Sequence, residues 1–147
     1  PNQVVAGKSE DEVFTEYIFN PVMTFCVGLI KRFGPKFLDK LKTLQLLEDE
    51  YGFPHGLIGV EIPIEVAGLK KRCDAIVYNQ QMQPLMLLEF KAPSVPLTQE
   101  VFDQAAIYNR HLNVPYLMLS NGQRSIVAQV QENQYQFLPV IPKYNEL

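Results

Sequence analysis

The chain predicts a mixed α/β (α+β) domain, with a helical amino-terminal part over residues 1–52 and a sheet-based core over 53–147. Three observations carry this. Leucines recur at three-residue spacing as far as Leu47; from Leu57 the apolar period falls to two; and one more helical stretch, after Thr98, separates the third expected strand from the fourth. The core should be a mixed sheet of about five strands, an antiparallel meander followed by a helix and a strand, with extra helices ahead of it.

Taken in order, Ser9-Glu10-Asp11-Glu12 has the form of a capping box and predicts a helix through Phe14, Tyr17 and Ile18 to about Asn20. Pro21 forces the preceding residue to be extended, so a second helical segment over 22–32 follows and stops at Gly34. Pro35 suits a first helical position, and Leu38, Leu41, Leu44 and Leu47 then give an amphipathic helix closed by Gly52. Val60, Ile62, Ile64 and Val66 alternate with Glu61, Pro63 and Glu65, which predicts a half-buried strand whose proline marks a sheet edge. Ala67-Gly68 turns the chain into a second strand over 70–78, and a third follows over 85–91. Thr98 can cap a helix with Val101, Ala105, Tyr108 and Leu112 on one stripe. A fourth strand over 115–120 meets Asn121-Gly122, the strongest hairpin signal in the chain, and leads into 125–130. Residues 135–141 predict a last edge strand.

A chain of 147 residues can bury roughly 68–70% of its unfolded surface, so folding needs neither disulfide nor metal. Cys26 and Cys73 read as reduced core thiols of a cytoplasmic protein. No stretch reaches membrane-spanning length without a charge or proline, and the amino end lacks the order of a secretion signal, so no membrane partner is expected. A net charge of −3 argues against broad coating of nucleic acid, though a local patch on an acidic body can still bind DNA. Val5-Ala6-Gly7-Lys8-Ser9 mimics the end of a phosphate-binding loop, but position 2, where the earlier glycine belongs, is Asn2. No nucleotide is expected.

The chemistry sits at the strand ends. In an extended strand Leu85, Leu87, Glu89 and Lys91 share one face, so a carboxylate and an ammonium stand side by side after an apolar run. Asp74 lies in the preceding strand. If the two strands are neighbours, two acids and one lysine converge where the strands leave the interior. Carboxylate oxygens with an adjacent cation are what Mg²⁺- or Mn²⁺-dependent cleavage of a phosphate ester requires.

The order of helix, meander with Asp then Glu-x-Lys, helix and strand resembles the restriction-endonuclease-like nucleases, the PD-(D/E)XK superfamily. Gly52-Phe53-Pro54-His55-Gly56-Leu57-Ile58-Gly59-Val60-Glu61, Gly68-Leu69-Lys70-Lys71-Arg72-Cys73-Asp74, Glu89-Phe90-Lys91-Ala92-Pro93 and Gln99-Glu100-Val101-Phe102-Asp103-Gln104 are similar to the amino-terminal nuclease domain of type I restriction enzyme R subunits. So are Pro115-Tyr116-Leu117 and Ser120-Asn121-Gly122. The resemblance implies DNA as substrate and a Mg²⁺ ion held by Asp74, Glu89 and the backbone carbonyl of Phe90. It further implies that Lys91 orients the attacking water and that Gln104 stands near the same site. Other restriction-modification subunits, or a second copy of the chain, are the implied protein partners. The family also carries a first-helix glutamate; Glu12 and Glu16, four apart on one face, both fit that place.

Each of these residues has a blander reading. Glu89 and Lys91 alone could be a surface ion pair contributing about 0–1 kcal/mol; Asp74 and the buried strand argue otherwise, since charges there need partners. Glu61 and Glu65 lie on a polar face, and Glu61 is kept as an outer candidate because it falls in a matched segment. Lys70, Lys71 and Arg72 form a cationic run that either steers phosphate toward Asp74 or is only solvated. His55 and His111 have no second ligand at zinc spacing. A nuclease-like module that binds nucleic acid or assembles without turnover is the alternative to an enzyme.

Overall fold

The computed structural model describes residues 37–147. The expected helices over 9–20 and 22–32, with Glu12, Glu16 and Cys26, lie outside the described residues. The chain divides into two units between Glu50 and Tyr51. The described part of the first is essentially one helix, α1 (Phe37–Tyr51), with Leu41, Leu44 and Leu47 buried as their spacing requires. It ends where Gly52 takes φ 70°, a left-handed value that glycine adopts without a Cβ penalty.

The second unit is one sheet with one long helix. Its elements are β1 (Ile58–Val66), β2 (Leu69–Tyr78), β3 (Pro84–Phe90), α2 (Gln99–Leu112), β4 (Tyr116–Ser120), β5 (Ser125–Gln131) and β6 (Gln134–Phe137). The strands lie in the order β1-β2-β3-β4-β5-β6. β3 and β4 pair in parallel because α2 carries the chain back across the sheet; the other neighbours are antiparallel. The meander, crossover and edge position of the Pro63 strand are as expected, with a sixth strand completing the sheet.

Local chemistry explains the connections. Ala67 and Gly68 both take positive φ, 52° and 76°, the requirement of a tight hairpin turn whose twist matches its strands. Asn121 organises a four-residue connection rather than a two-residue turn: its Oδ1 accepts from Gln123 N–H (3.0 Å) and Arg124 N–H (2.8 Å). Its amide Nδ2 donates to the Val95 carbonyl at 2.9 Å, tying the loop after β3 to this hairpin. The last strand is shorter than expected. Pro139 lacks the N–H that would extend it.

Leu87, Leu117, Leu119 and Ala128 from the sheet pack with Phe102, Ala105 and Ala106 of α2. Thr98 Oγ1 caps the helix by accepting from Val101 N–H at 3.3 Å. The fully buried stripe is Phe102, Ala105, Ala106 and Asn109, displaced from the expected one; Val101 and Leu112 flank it. Asn109, 1% exposed, is satisfied on both sides: its Nδ2 donates to Val114 O and Tyr135 Oη, and its Oδ1 accepts from Val114 N–H, each at 3.0 Å.

Strict two-residue alternation fails in β2. Cys73 and Ile76, which alternation would put on opposite faces, pack in the same cluster on the α2 side. The phase changes between them, at Asp74. The β1–β2 register is continuous from Ile58↔Val77 to Val60↔Ala75 and again from Ile62↔Cys73 to Val66↔Leu69, and the unmatched pair between is Glu61 and Asp74. Glu61 has φ 50°, a left-handed value that is uncommon for a non-glycine residue.

Candidate active site

The phase change places the site. The β2–β3 ladder runs through Val77↔Met86 and Ile76↔Leu87 to Ala75↔Leu88. Beyond that pair, Phe90 N–H donates to the Asp74 carboxylate, Oδ2, at 2.7 Å. A side chain thus stands where a backbone acceptor is the rule, and the bond fixes the carboxylate against the end of β3. On its other flank β3 runs beside β4, where Glu89 pairs with Leu119 and Phe90 with Ser120; Lys91 N–H then donates to Ser120 O at 2.8 Å. Backbone bonds and one carboxylate therefore hold the Glu89-Phe90-Lys91 segment from both sides.

Glu89 and Lys91 project together, as their two-residue spacing requires. They line a cavity of about 250 Å³ with Gln104, Ala105, Ile107 and Tyr108 of α2. Gln104 and Tyr108 are one helical turn apart and so share a helix face. Cys73 reports the electrostatics: burial pushes its thiol up to about 12 from an ordinary 9.0, with the Glu89 and Asp74 carboxylates adding to the shift in that order. Asp74 is the chain neighbour of Cys73 and is not among the residues that line the cavity.

Of the residues singled out from sequence, Asp74, Glu89 and Lys91 are half-buried; Glu89 and Lys91 stand at the end of β3, whereas Asp74 lies in the middle of β2 and not at its end as expected, and Gln104 is exposed on α2 facing the cavity. Glu61 is half-buried across from Asp74, whereas Glu65 is exposed. Lys70, Lys71 and Arg72 are exposed, but they do not form one patch, because successive strand residues face opposite sides. Lys71 is on the α2 side, where its Nζ donates to Tyr108 Oη and lies 4.3 Å from the ring centroid. His55 is in a short 3-10 turn and His111 near the end of α2. Among the described residues no group of three or more His, Cys, Asp or Glu could hold a metal ion. Tyr108 was readable only as part of an apolar stripe; the signal for more was its position one turn after Gln104.

Comparison with known proteins bears on this geometry. The family model described as the type I restriction enzyme R protein N terminus matches residues 41–142. A search of curated proteins finds no match. Among solved structures, a fragment described as an HsdR subunit of a type I restriction enzyme from Vibrio vulnificus YJ016 superposes with a TM-score of 0.54 at 19% identity, over 71% of this chain and 22% of that one. The DrdV–DNA complex, solved by cryo-electron microscopy, gives a TM-score of 0.43 at 20% identity, over 64% of this chain and 9% of that one. The chain thus spans about a fifth of the length of the first. The likeness to the HsdR fragment is one of fold.

Proposed function

The chain belongs to the family of type I restriction enzyme R protein N-terminal domains, and on that premise we propose that the cavity beside β3 is the centre of a metal-dependent endodeoxyribonuclease. The observation that carries the reading is the cavity wall shared by Glu89, Lys91 and Gln104, with the Asp74 carboxylate tied to the Phe90 amide between Glu89 and Lys91. Asp74 and Glu89 lie on adjoining strands and supply carboxylate oxygens. Hard oxygen donors suit Mg²⁺ or Mn²⁺, so the donor set fits the ion, with Asp74, Glu89 and the Phe90 carbonyl as its ligands. When bound, the metal stabilises the extra negative charge on the phosphoryl oxygens.

The chain's own groups do the rest. The Phe90 amide holds Asp74 in one orientation, so the ligand is organised before substrate arrives. Lys91, its backbone anchored to Ser120, orients the attacking water in line with the scissile bond. As the new O–P bond forms, the P–O bond to the leaving sugar oxygen breaks; the water's proton passes to solvent, and the leaving oxygen takes up one from solvent to depart as a hydroxyl. Gln104, exposed on the opposite wall, offers an amide to a phosphate oxygen or to the water. DNA is the substrate this reading assigns, and other restriction-modification subunits or a second copy of the chain are the partners it assigns.

A second reading has its own support. With no third acidic or imidazole ligand among the described residues, the fold also suits a module that binds nucleic acid or assembles without turnover. Incubating the protein with plasmid and linear DNA in Mg²⁺ or Mn²⁺ separates the two. Cleavage that disappears in Asp74→Ala and Lys91→Ala supports the enzyme; cleavage that persists in both removes this mechanism.

A further inference from the structure

We propose that Lys71 is a positioning residue of this site: it holds Tyr108 so that the phenol proton is directed to a phosphate oxygen of the substrate. The proposal rests on the nuclease reading above. An ammonium has donors and no acceptor, so in the contact between Lys71 Nζ and Tyr108 Oη the phenol oxygen must accept. The phenol's own proton is then left to donate elsewhere. Tyr108 lines the cavity with Glu89, Lys91 and Gln104, and a phosphate oxygen there is an acceptor with no proton to offer. The same ammonium lies 4.3 Å from the ring centroid, within the range at which a cation is held by an aromatic face, so one side chain restrains both ring and hydroxyl.

The arrangement depends on the phase change at Asp74. Alternation counted back from Ile76 would turn Lys71 away from α2; the break sends Cys73 and Lys71 to the α2 side instead. Lys70 and Arg72 then face the opposite way. The cationic run therefore divides, with Lys71 acting through Tyr108 and not as a free phosphate contact.

Cleavage kinetics on a linear duplex, measured over a range of salt, test this with Lys71→Met, Lys71→Arg, Tyr108→Phe, the double variant Lys71→Met/Tyr108→Phe, and Lys70→Met as the reference for loss of one charge. Positioning predicts that Lys71→Met lowers kcat roughly tenfold or more while KM and the salt slope stay near the parent's. Lys71→Arg, which keeps the donor and the cation, recovers most of kcat. The double variant is no slower than Tyr108→Phe alone, because the lysine acts only through the phenol. A steering lysine gives the opposite pattern: raised KM, a salt slope reduced by about one, and an effect that multiplies with Tyr108→Phe. That pattern overturns the assignment while leaving the nuclease reading intact. A parent that cleaves nothing in either metal sinks the nuclease reading, and this assignment falls with it.

Discussion

Replacing Asp74 with alanine should cost stability as well as activity, because the carboxylate also completes the hydrogen bonding of the sheet. Phe90 N–H donates to Oδ2 at 2.7 Å in a part-buried position, so alanine strands a backbone donor. Leaving such a group without its acceptor costs about 1–3 kcal/mol. At roughly 3 °C per kcal/mol for a chain of this size, the expected fall in Tm is about 3–9 °C. Asp74→Asn keeps an oxygen able to take the same hydrogen bond and removes one of the two negative charges near Cys73. In a chelator it should melt within about 2 °C of the parent, or above it, and yet fail to cleave DNA. Thermal melts by circular dichroism, run beside the cleavage assay, measure both effects. If Asp74→Ala melts with the parent, the bond contributes nothing; if Asp74→Asn cleaves at the parental rate, the carboxylate is no ligand.

Four further outcomes are expected. Mg²⁺ at a hundred times its Kd should stabilise the parent by about 2.7 kcal/mol, an effect that a chelator reverses and that Asp74→Asn and Glu89→Gln abolish; equal stabilisation of all three proteins would place the ion elsewhere. Cys73, buried and with its thiol pushed up to about 12, should resist alkylation of the native protein at pH 8 and react only on unfolding, as peptide mass mapping can read. Because the folded value lies above the ordinary 9.0, the stability held by the neutral thiol is complete below about pH 9 and is lost as pH climbs toward about 12; the parent's Tm should fall more steeply over that window than that of Cys73→Ala. Asn109→Ala removes the partners of Val114 N–H, Val114 O and Tyr135 Oη, and should cost about 2–4 kcal/mol in urea unfolding; a loss below about 0.5 kcal/mol would mean that water replaces the amide.

Most of the fold was legible because period and punctuation agree. The Leu41-Leu44-Leu47 spacing, Gly52, the Ala67-Gly68 turn, the Thr98 cap and Asn121-Gly122 each appear where local chemistry demands them. Glu89 and Lys91 were legible as neighbours for a similar reason, since period two in the strand brings both to the cavity; Gln104, which lines it from the facing helix, was legible only through the family resemblance. The phase change at Asp74 was not legible, since strict alternation is the only rule that a single strand supplies and the break involves two strands at once. Tyr108 was hidden for the same reason, because its partner Lys71 reaches it only after that break. Asn109 was not singled out in the sequence, because its role depends on Val114 and on Tyr135, 26 residues away.

The clamp around Glu89-Phe90-Lys91 draws on the amides of Phe90 and Lys91, the carbonyl of Ser120 and the Asp74 carboxylate. Three of those four groups belong to the backbone and survive any change of side chain. A shape held largely by its backbone can outlast whatever chemistry its side chains perform, so the fold and the proposed activity need not be inherited together.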